Sequence, residues 1–582
     1  MTLRQSGYAL LLLLTACATS RSPESGAATL KVVSGPEGVS PTWRLAGKSR
    51  VTQGENAVVV SGNVIASEVG ADIMRRGGNA VDAAVAVGFA LAVVHPEAGN
   101  IGGGGFMVMR MRDGKSYAID YREVAPGRAT RDMFVDHNGN PTNLSITGHL
   151  AAGVPGAVAG MAEAHRRLGR LPWRDVVEPA VRLARDGFVV DSFRFRSIES
   201  DRERLYLFPG SRKAFLPDSG HAPAPGSRWR QADLGRTLAA IRDEGRDGFY
   251  RGWVADSIVA EMERGGGVIS LQDLIDYQAE WRDPVQIDYR GYTILSMPPA
   301  SSGGVTMAQI LNIMEGWSSL PKFGTSELLH REAEAMRRAF TDRNVYLGDP
   351  AFVQMPIAML LSQTYADSLH AQIGTSASKT APFDPSIRTS FNTTHYSVVD
   401  NEGNAVSVTT TLNSGYGSAV TVSGAGFLLN DEMDDFATAP GKPNMFGLVQ
   451  GEANRVQPGK RMLSAMTPSI VLDRDNDLYM VVGTPGGPRI ITMVYHVISN
   501  VIDHGMTLED AVAAPRMHHQ ALPDHIRVER GGFSQATLDA LRRRGHEVQE
   551  GGTSGDIEAI IRDGDGWKGV TDPRYGGGGA GY

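Results

Sequence analysis

Cysteine is almost absent from this sequence: one, Cys17, stands among 582 residues. A single thiol excludes any intrachain disulfide and any metal site built on several cysteines. No long basic block occurs either, and 57 basic against 64 acidic side chains leave a net charge of -7, which argues against nucleic acid as the main partner. There is no Gly-x-Ser-x-Gly elbow, the usual mark of a serine hydrolase. The apolar runs Tyr8 to Leu14 and Ala83 to Val94 fall short of the roughly 20 residues that cross a bilayer. Glycine, by contrast, is in excess at 69 residues, so many backbone positions are expected to need positive φ or close approach. The 42% hydrophobic and 21% charged content excludes a wholly disordered chain. Length alone, at about 150 residues per domain, predicts three or four domains.

Arg4, the short apolar core from Tyr8 to Leu14, and the sequence Leu14-Thr15-Ala16-Cys17 read as a cleaved export signal. Its end resembles the bacterial lipoprotein box, which implies that Cys17 is lipidated and becomes the new N-terminus. Residues 1–16 are then the signal and 17–50, polar and rich in Ser, Gly and Pro, a flexible tether. The expected location is periplasmic or cell envelope, with the membrane reached through a lipid anchor only.

From Ala57 onward helical and strand patterns alternate without an internal repeat. Residues 66–94 hold two helices broken at Gly77-Gly78, the second starting near Asn79 and buried on all faces. Thr325 to Tyr346 predicts a long helix capped by Thr325, with Arg and Glu along an outer face. Thr375 to Asn392 is polar, contains Pro and lacks apolar periodicity, so it reads as an exposed loop. Thr393 to Val399 and Ala405 to Asn413 read as strands joined by Asp400-Asn401-Glu402-Gly403-Asn404. Symmetry about Glu402 puts Thr393 opposite Thr411.

A polar loop running into a strand that begins with threonine suits a self-cleaving hydrolase. Cutting Asn392-Thr393 would free an α-amino group with a reference pKa of about 7.7 to 8.0. That amine can act as general base for the hydroxyl of the same residue.

Asn392-Thr393-Thr394-His395-Tyr396-Ser397, followed by Thr411-Leu412-Asn413, resembles the γ-glutamyltranspeptidases, which are N-terminal-nucleophile hydrolases. The resemblance extends in order through Gly102-Gly103-Gly104-Gly105-Phe106-Met107, Asp120-Tyr121-Arg122-Glu123-Val124-Ala125-Pro126, and Ser296-Met297-Pro298-Pro299 with Ser301-Ser302-Gly303-Gly304. Tyr346-Leu347-Gly348-Asp349-Pro350 and Asp572-Pro573-Arg574 complete it. It implies a mixed α/β, four-layer αββα sandwich cut into a large subunit (51–392) and a small one (393–582) that form a heterodimer around one site. It also implies glutathione and other γ-glutamyl compounds as donors, and amino acids, peptides or water as acceptors. No metal or organic cofactor is expected. Residue by residue, Thr393 would be the nucleophile, with Thr411 hydrogen-bonded to its hydroxyl and Gly486 and Gly487 supplying oxyanion N–H groups. Arg122 would grip the donor α-carboxylate, helped by Ser464 and residue 465. Asn413, Glu432 and Asp435 would receive the α-ammonium, giving a pocket cationic at one end and anionic at the other.

Three positions depart from the pattern. Ala465 replaces the second serine of a Ser-Ser pair, removing a hydrogen bond to a charged group that is typically worth about 1.5 to 3 kcal/mol. Phe446 stands where some members have a tyrosine, and Asp556-Ile557-Glu558-Ala559 where a Gln is common. Because of Ala465, a glutaryl-type acylase acting on β-lactam side chains is the main alternative, although a glutaryl group has no ammonium for Glu432 and Asp435. A catalytically silent envelope lipoprotein is the alternative from another class. His518-His519 and the run Asp473, Asp475, Asp477 read as structural, since adjacent histidines point apart and Leu478 stands where a calcium loop needs Gly.

Overall fold

The computed structural model describes residues 37–380 and 393–582. Cys17, the signal stretch, Asn392 and most of the loop before it lie outside the described residues. The strands used below are β1 (Arg50–Gly54), β2 (Val58–Ser61), β3 (Gly104–Arg110), β4 (Ser116–Asp120), β5 (Glu280–Arg282), β6 (Val285–Tyr289) and β7 (Tyr292–Ser296). After the loop come β8 (Thr393–Val399), β9 (Ala405–Thr411), β10 (Ser469–Leu472), β11 (Leu478–Gly483), β12 (Glu558–Asp563), β13 (Gly566–Thr571) and β14 (Gly578–Gly581). They form two seven-stranded sheets, ordered β1-β13-β12-β11-β10-β7-β6 and β14-β2-β8-β9-β3-β4-β5. Neighbouring strands in both are antiparallel.

Strand alternation builds the layers. In β2, Val59 joins the core under helices α1 (Val64–Arg75), α2 (Ala80–Val94) and α3 (Ala157–Leu168), while Val58 and Val60 join the core shared with the first sheet. Met107 and Met109 of β3 divide from Phe106 and Val108 in the same way. On the far side α4 (Gly303–Glu315) and α6 (Arg489–Ile502) pack on the first sheet, and α5 (Ser326–Tyr346) lies on α4. The result is a four-layer αββα sandwich. Its sheets interleave strands from both sides of the loop, so the three or four domains that length predicts do not form.

The helix starts follow their caps. Asn79 accepts from the N–H groups of Val81 and Asp82, and Asp82 accepts from Asn79 N–H at 2.9 Å, a reciprocal capping box. Every residue of α2 is buried. Thr325 caps α5 as its sequence predicts. The solvated face expected along α5 is narrower than its charges suggest: Glu327, Arg331, Arg338 and Thr341 keep access to water, but Glu332, Glu334, Arg337, Asp342 and Arg343 are buried. Charge periodicity alone cannot reveal that a helix is covered on both sides.

The tether also ends earlier than its composition suggests. Residues 37–50 dock on the second half of the chain: Trp43 is buried and its Nε1 donates to Ala513 O at 2.8 Å, Leu45 is buried, and Gly38 N–H donates to Thr537 Oγ1. Two apolar side chains suffice to anchor a segment whose average is polar. Trp43→Ala is therefore expected to destabilise the protein by about 3 to 5 kcal/mol, read from urea denaturation, whereas a free tether would show no change.

Candidate active site

The β8-β9 hairpin pairs Thr393 with Thr411, His395 with Thr409 and Ser397 with Ser407, the register that symmetry about Glu402 predicts. Its even-numbered residues Tyr396, Val398, Val406 and Val408 enter the core beneath α2. The odd-numbered ones therefore face the other sheet. Thr393 Oγ1 lies 3.3 Å from Thr411 Oγ1, which also accepts Asn413 N–H at 2.8 Å. A backbone strand must pass close beside this pair: a Cβ on Gly103 would come within 2.1 Å of Thr411 O.

Below the threonines, His395 bridges the sheets. Its Nδ1 is 2.9 Å from Thr409 Oγ1 and its Nε2 3.1 Å from Ser397 Oγ, which donates to Glu558 O on β12 at 2.9 Å. The ring fills the space where Gly483 has no side chain, since a Cβ there would lie 2.2 Å from His395 Cε1. Burial holds the imidazole down at about pKa 3, so it is neutral.

Beyond Gly483 the chain turns through Gly486 and Gly487, at φ 144° and 57°, into the N-terminus of α6. Neither glycine N–H donates to another group among the described residues. Gly487 lines the same cavity as Thr393, and the positive end of α6 lies behind it.

That cavity also meets Thr411, Asn413, Arg122, Asp435, Phe446, Ser464 and Ala465. Glu432 sits behind Arg122, fully buried, and is not on its wall. Arg122 Nη1 is 2.7 Å from Glu432 Oε2, Nη2 pairs with Asp435, and Nε donates to Met462 O at 3.3 Å. The expected separation into cationic and anionic ends is therefore not what the structure shows. The opposite charges collapse onto one another, since a buried charge is costly unless an opposite one offsets it, and Glu123 adds a third carboxylate 3.6 Å from Arg122 Nη1. Burial pushes the Glu432 and Asp435 carboxyls up, and Arg122 pulls both back down. Although the Glu432 ion pair is short, its angles miss hydrogen-bond geometry, and neither Glu432 oxygen has a hydrogen-bond partner. Acceptor capacity remains for a donated N–H.

Asn413, at φ 81°, leaves the strand and donates through Nδ2 to Asp431 O at 3.0 Å. Ser464 Oγ accepts Met466 N–H at 3.1 Å, while Ala465 N–H donates to nothing among the described residues. The Ala465 amide thus stands where a hydroxyl is missing. Several wall residues gave no signal in the sequence: the apolar Leu448, Leu463, Met466, Pro488 and Ile490, and the cation Arg343. His518 and His519 point to different partners, Thr492 with Gln520 and Asp524 respectively, and the Asp473 turn closes the β10-β11 hairpin. His330, Glu334 and His546 cluster towards the N-terminal end of α5, where Glu334 is held by Arg338 and by Ser378 N–H and Oγ. This cluster anchors the segment that leads towards residue 392.

Residues 66–582 match the protein family described as Gamma-glutamyltranspeptidase. The chain is 45% identical to the glutathione hydrolase proenzyme of Escherichia coli (strain K12), over 89% of this chain and 90% of that one. It is 46% identical to the glutathione hydrolase proenzyme of Pseudomonas sp. (strain A14), over 87% and 89%. Among solved structures, a cephalosporin acylase from Bacillus halodurans aligns with a TM-score of 0.80 at 28% identity, over 92% of this chain and 97% of that one.

The buried His395 has a consequence for acid stability. An unfolded imidazole, at about pKa 6.5, takes up a proton that the folded ring refuses until about pH 3. The unfolded state binds more protons in that window, so stability falls as pH drops through it. The melting temperature should fall between about pH 7 and pH 5, and fall less in His395→Gln; an equal fall in the variant would assign the acid sensitivity elsewhere.

Proposed function

This chain belongs to the γ-glutamyltranspeptidase family, and on that premise we propose that Thr393, freed by cleavage of Asn392-Thr393, is the nucleophile of a glutathione hydrolase and γ-glutamyltransferase. One observation carries this reading: a threonine at the first position of an inter-sheet strand shares its cavity with Gly487, whose N–H donates to nothing among the described residues, and with Arg122 and Asp435 of a buried arginine-carboxylate cluster.

The Thr393 hydroxyl attacks the γ-amide carbon while its own α-amine takes the proton. Negative charge forms on the carbonyl oxygen, and the Gly486 and Gly487 N–H groups would stabilise it; one such donor is typically worth about 2.7 to 4 kcal/mol. The amine then passes its proton to the leaving nitrogen, and the C–N bond breaks to leave a γ-glutamyl ester on Thr393. Water gives hydrolysis, and the amine of an amino acid or peptide gives transfer. The donor's charged head exchanges into the existing ion cluster. Its α-carboxylate meets Arg122 and the Ser464-Ala465 segment, and its α-ammonium meets Asp435, Glu432 and Asn413. Thr411, already bonded by Asn413 N–H, orients the nucleophile. Residues 51–392 and 393–582 are then the large and small subunits.

Ala465 and the likeness in fold to an acylase favour one second reading, hydrolysis of glutaryl amides. The carboxylates count against it, because a glutaryl group would leave them without an ammonium. Export and lipid attachment at Cys17 belong to the same proposal and are supported by the residue pattern of positions 4–17.

On a denaturing gel the purified protein should run as two fragments split before Thr393, and Thr393→Ala should remain one chain without turnover; a wild-type chain that stays whole on incubation would sink the nucleophile. Release from γ-glutamyl-p-nitroanilide should exceed release from glutaryl-p-nitroanilide, and the reverse order would establish the acylase. Cys17→Ser should move the protein from the membrane fraction to the soluble one, and retention at the membrane would refute the lipid anchor.

A further inference from the structure

The cavity holds a second guanidinium whose surroundings differ from those of the first. Arg343, on α5, is 1% exposed and lines the wall with Thr393, Ser464 and Ala465. Its Nε donates to Ser302 Oγ at 2.9 Å, and its Nη1 to Asn344 Oδ1 at 2.9 Å and Gln450 Oε1 at 3.3 Å. All three acceptors are neutral. Among the described residues no carboxylate lies within ion-pair distance, and Nη2 donates to nothing. Arg122, by contrast, is balanced by Glu432 and Asp435.

A charge taken out of water without a counter-ion is costly. Burial accordingly draws the Arg343 pKa down to about 10, with Asp435 as the opposing charge. Such a cost is consistent with a site whose missing anion arrives as a ligand. The surroundings also tie this cation to the segment that lacks a hydroxyl. Ser302 Oγ, which accepts from Arg343, donates to Ser464 O at 2.6 Å, and Ser302 N–H reaches the same carbonyl at 2.8 Å.

We propose that Arg343 selects the donor by its α-carboxylate, taking one oxygen through Nη2 while the other meets Arg122, so that an arginine serves where Ala465 offers no hydroxyl. The inference rests on the γ-glutamyl reading above. It makes the carboxylate, not the ammonium, the feature of the donor that this enzyme reads most strongly, because two cations converge on it.

The test removes donor groups one at a time. γ-Glutamyl-p-nitroanilide carries both charged groups, 4-aminobutyryl-p-nitroanilide lacks the carboxylate, glutaryl-p-nitroanilide lacks the ammonium, and butyryl-p-nitroanilide lacks both. In Arg343→Met, the ratio of kcat/KM for γ-glutamyl over 4-aminobutyryl donors should fall about 10- to 100-fold, whatever the absolute rates. Arg343→Lys keeps the charge and loses the fork, and should fall less. The ratio of glutaryl over butyryl donors should fall with it. Unmoved ratios in both variants would overturn the proposal, as would equal losses on donors with and without the carboxylate. Wild-type protein that hydrolyses glutaryl but not γ-glutamyl anilide would instead overturn the donor assignment, and the glutaryl-to-butyryl ratio would still report on Arg343.

Discussion

A slip of one residue in the Thr393-Thr411 hairpin would turn every side chain of the ladder to the opposite face, and the whole site depends on that register. The even positions Tyr396, Val398, Val406 and Val408 enter the core under α2, with Thr394 and Thr410 at the open end, whereas the odd ones are hydroxyl-bearing or imidazole groups, apart from Val399 and Ala405 at the closed end. Moving the valines out would expose them and bury a row of polar groups without partners. The hydrophobic preference thus aims Thr393 at the facing sheet, and the Gly486-Gly487 turn after β11 meets it there. Gly483 closes the arrangement by leaving room for His395, which locks the two sheets at one separation.

The second constraint is electrostatic. Arg122, Glu432 and Asp435 are withdrawn from water, and none could be buried without the others. They offset one another, which keeps the charges in place. On the proposed reading, a zwitterionic head group enters by replacing intramolecular pairs with equivalent ones to the ligand. A neutral ligand of the same size has nothing to exchange. Selectivity of this kind comes from the cost of leaving a buried charge unmatched rather than from close fit alone.

Much of this was legible in the residues. The turn-rich five after Val399 and the β-branched runs on either side of it define the hairpin, and Asn79 and Thr325 announce their helices because capping is a local property. Thr393, Arg122 and the acidic run near Asp435 were legible through ordered motifs, but their mutual pairing was not, since it joins positions some 300 residues apart whose approach only the sheet order decides. Arg343 was hidden for a different reason. On an isolated helix its charges and those of its neighbours look like a water-facing stripe, and only α5's burial turns them into a cavity wall and an anchor. Residues 37–50 were misread because two apolar anchors vanish in a polar average.

The interleaving of the two sheets bears on what a cut at Thr393 does to the molecule. β1 closes the first sheet against β13, and β14 extends the second beside β2, so each half of the chain threads strands through both sheets. Neither half owns a complete core. Separation of the fragments is then the same event as loss of structure, and the pair has no ordinary dissociation equilibrium between folded partners. Dilution cannot release native subunits, mixed preparations cannot trade them, and the nick adds a chain end without adding a joint.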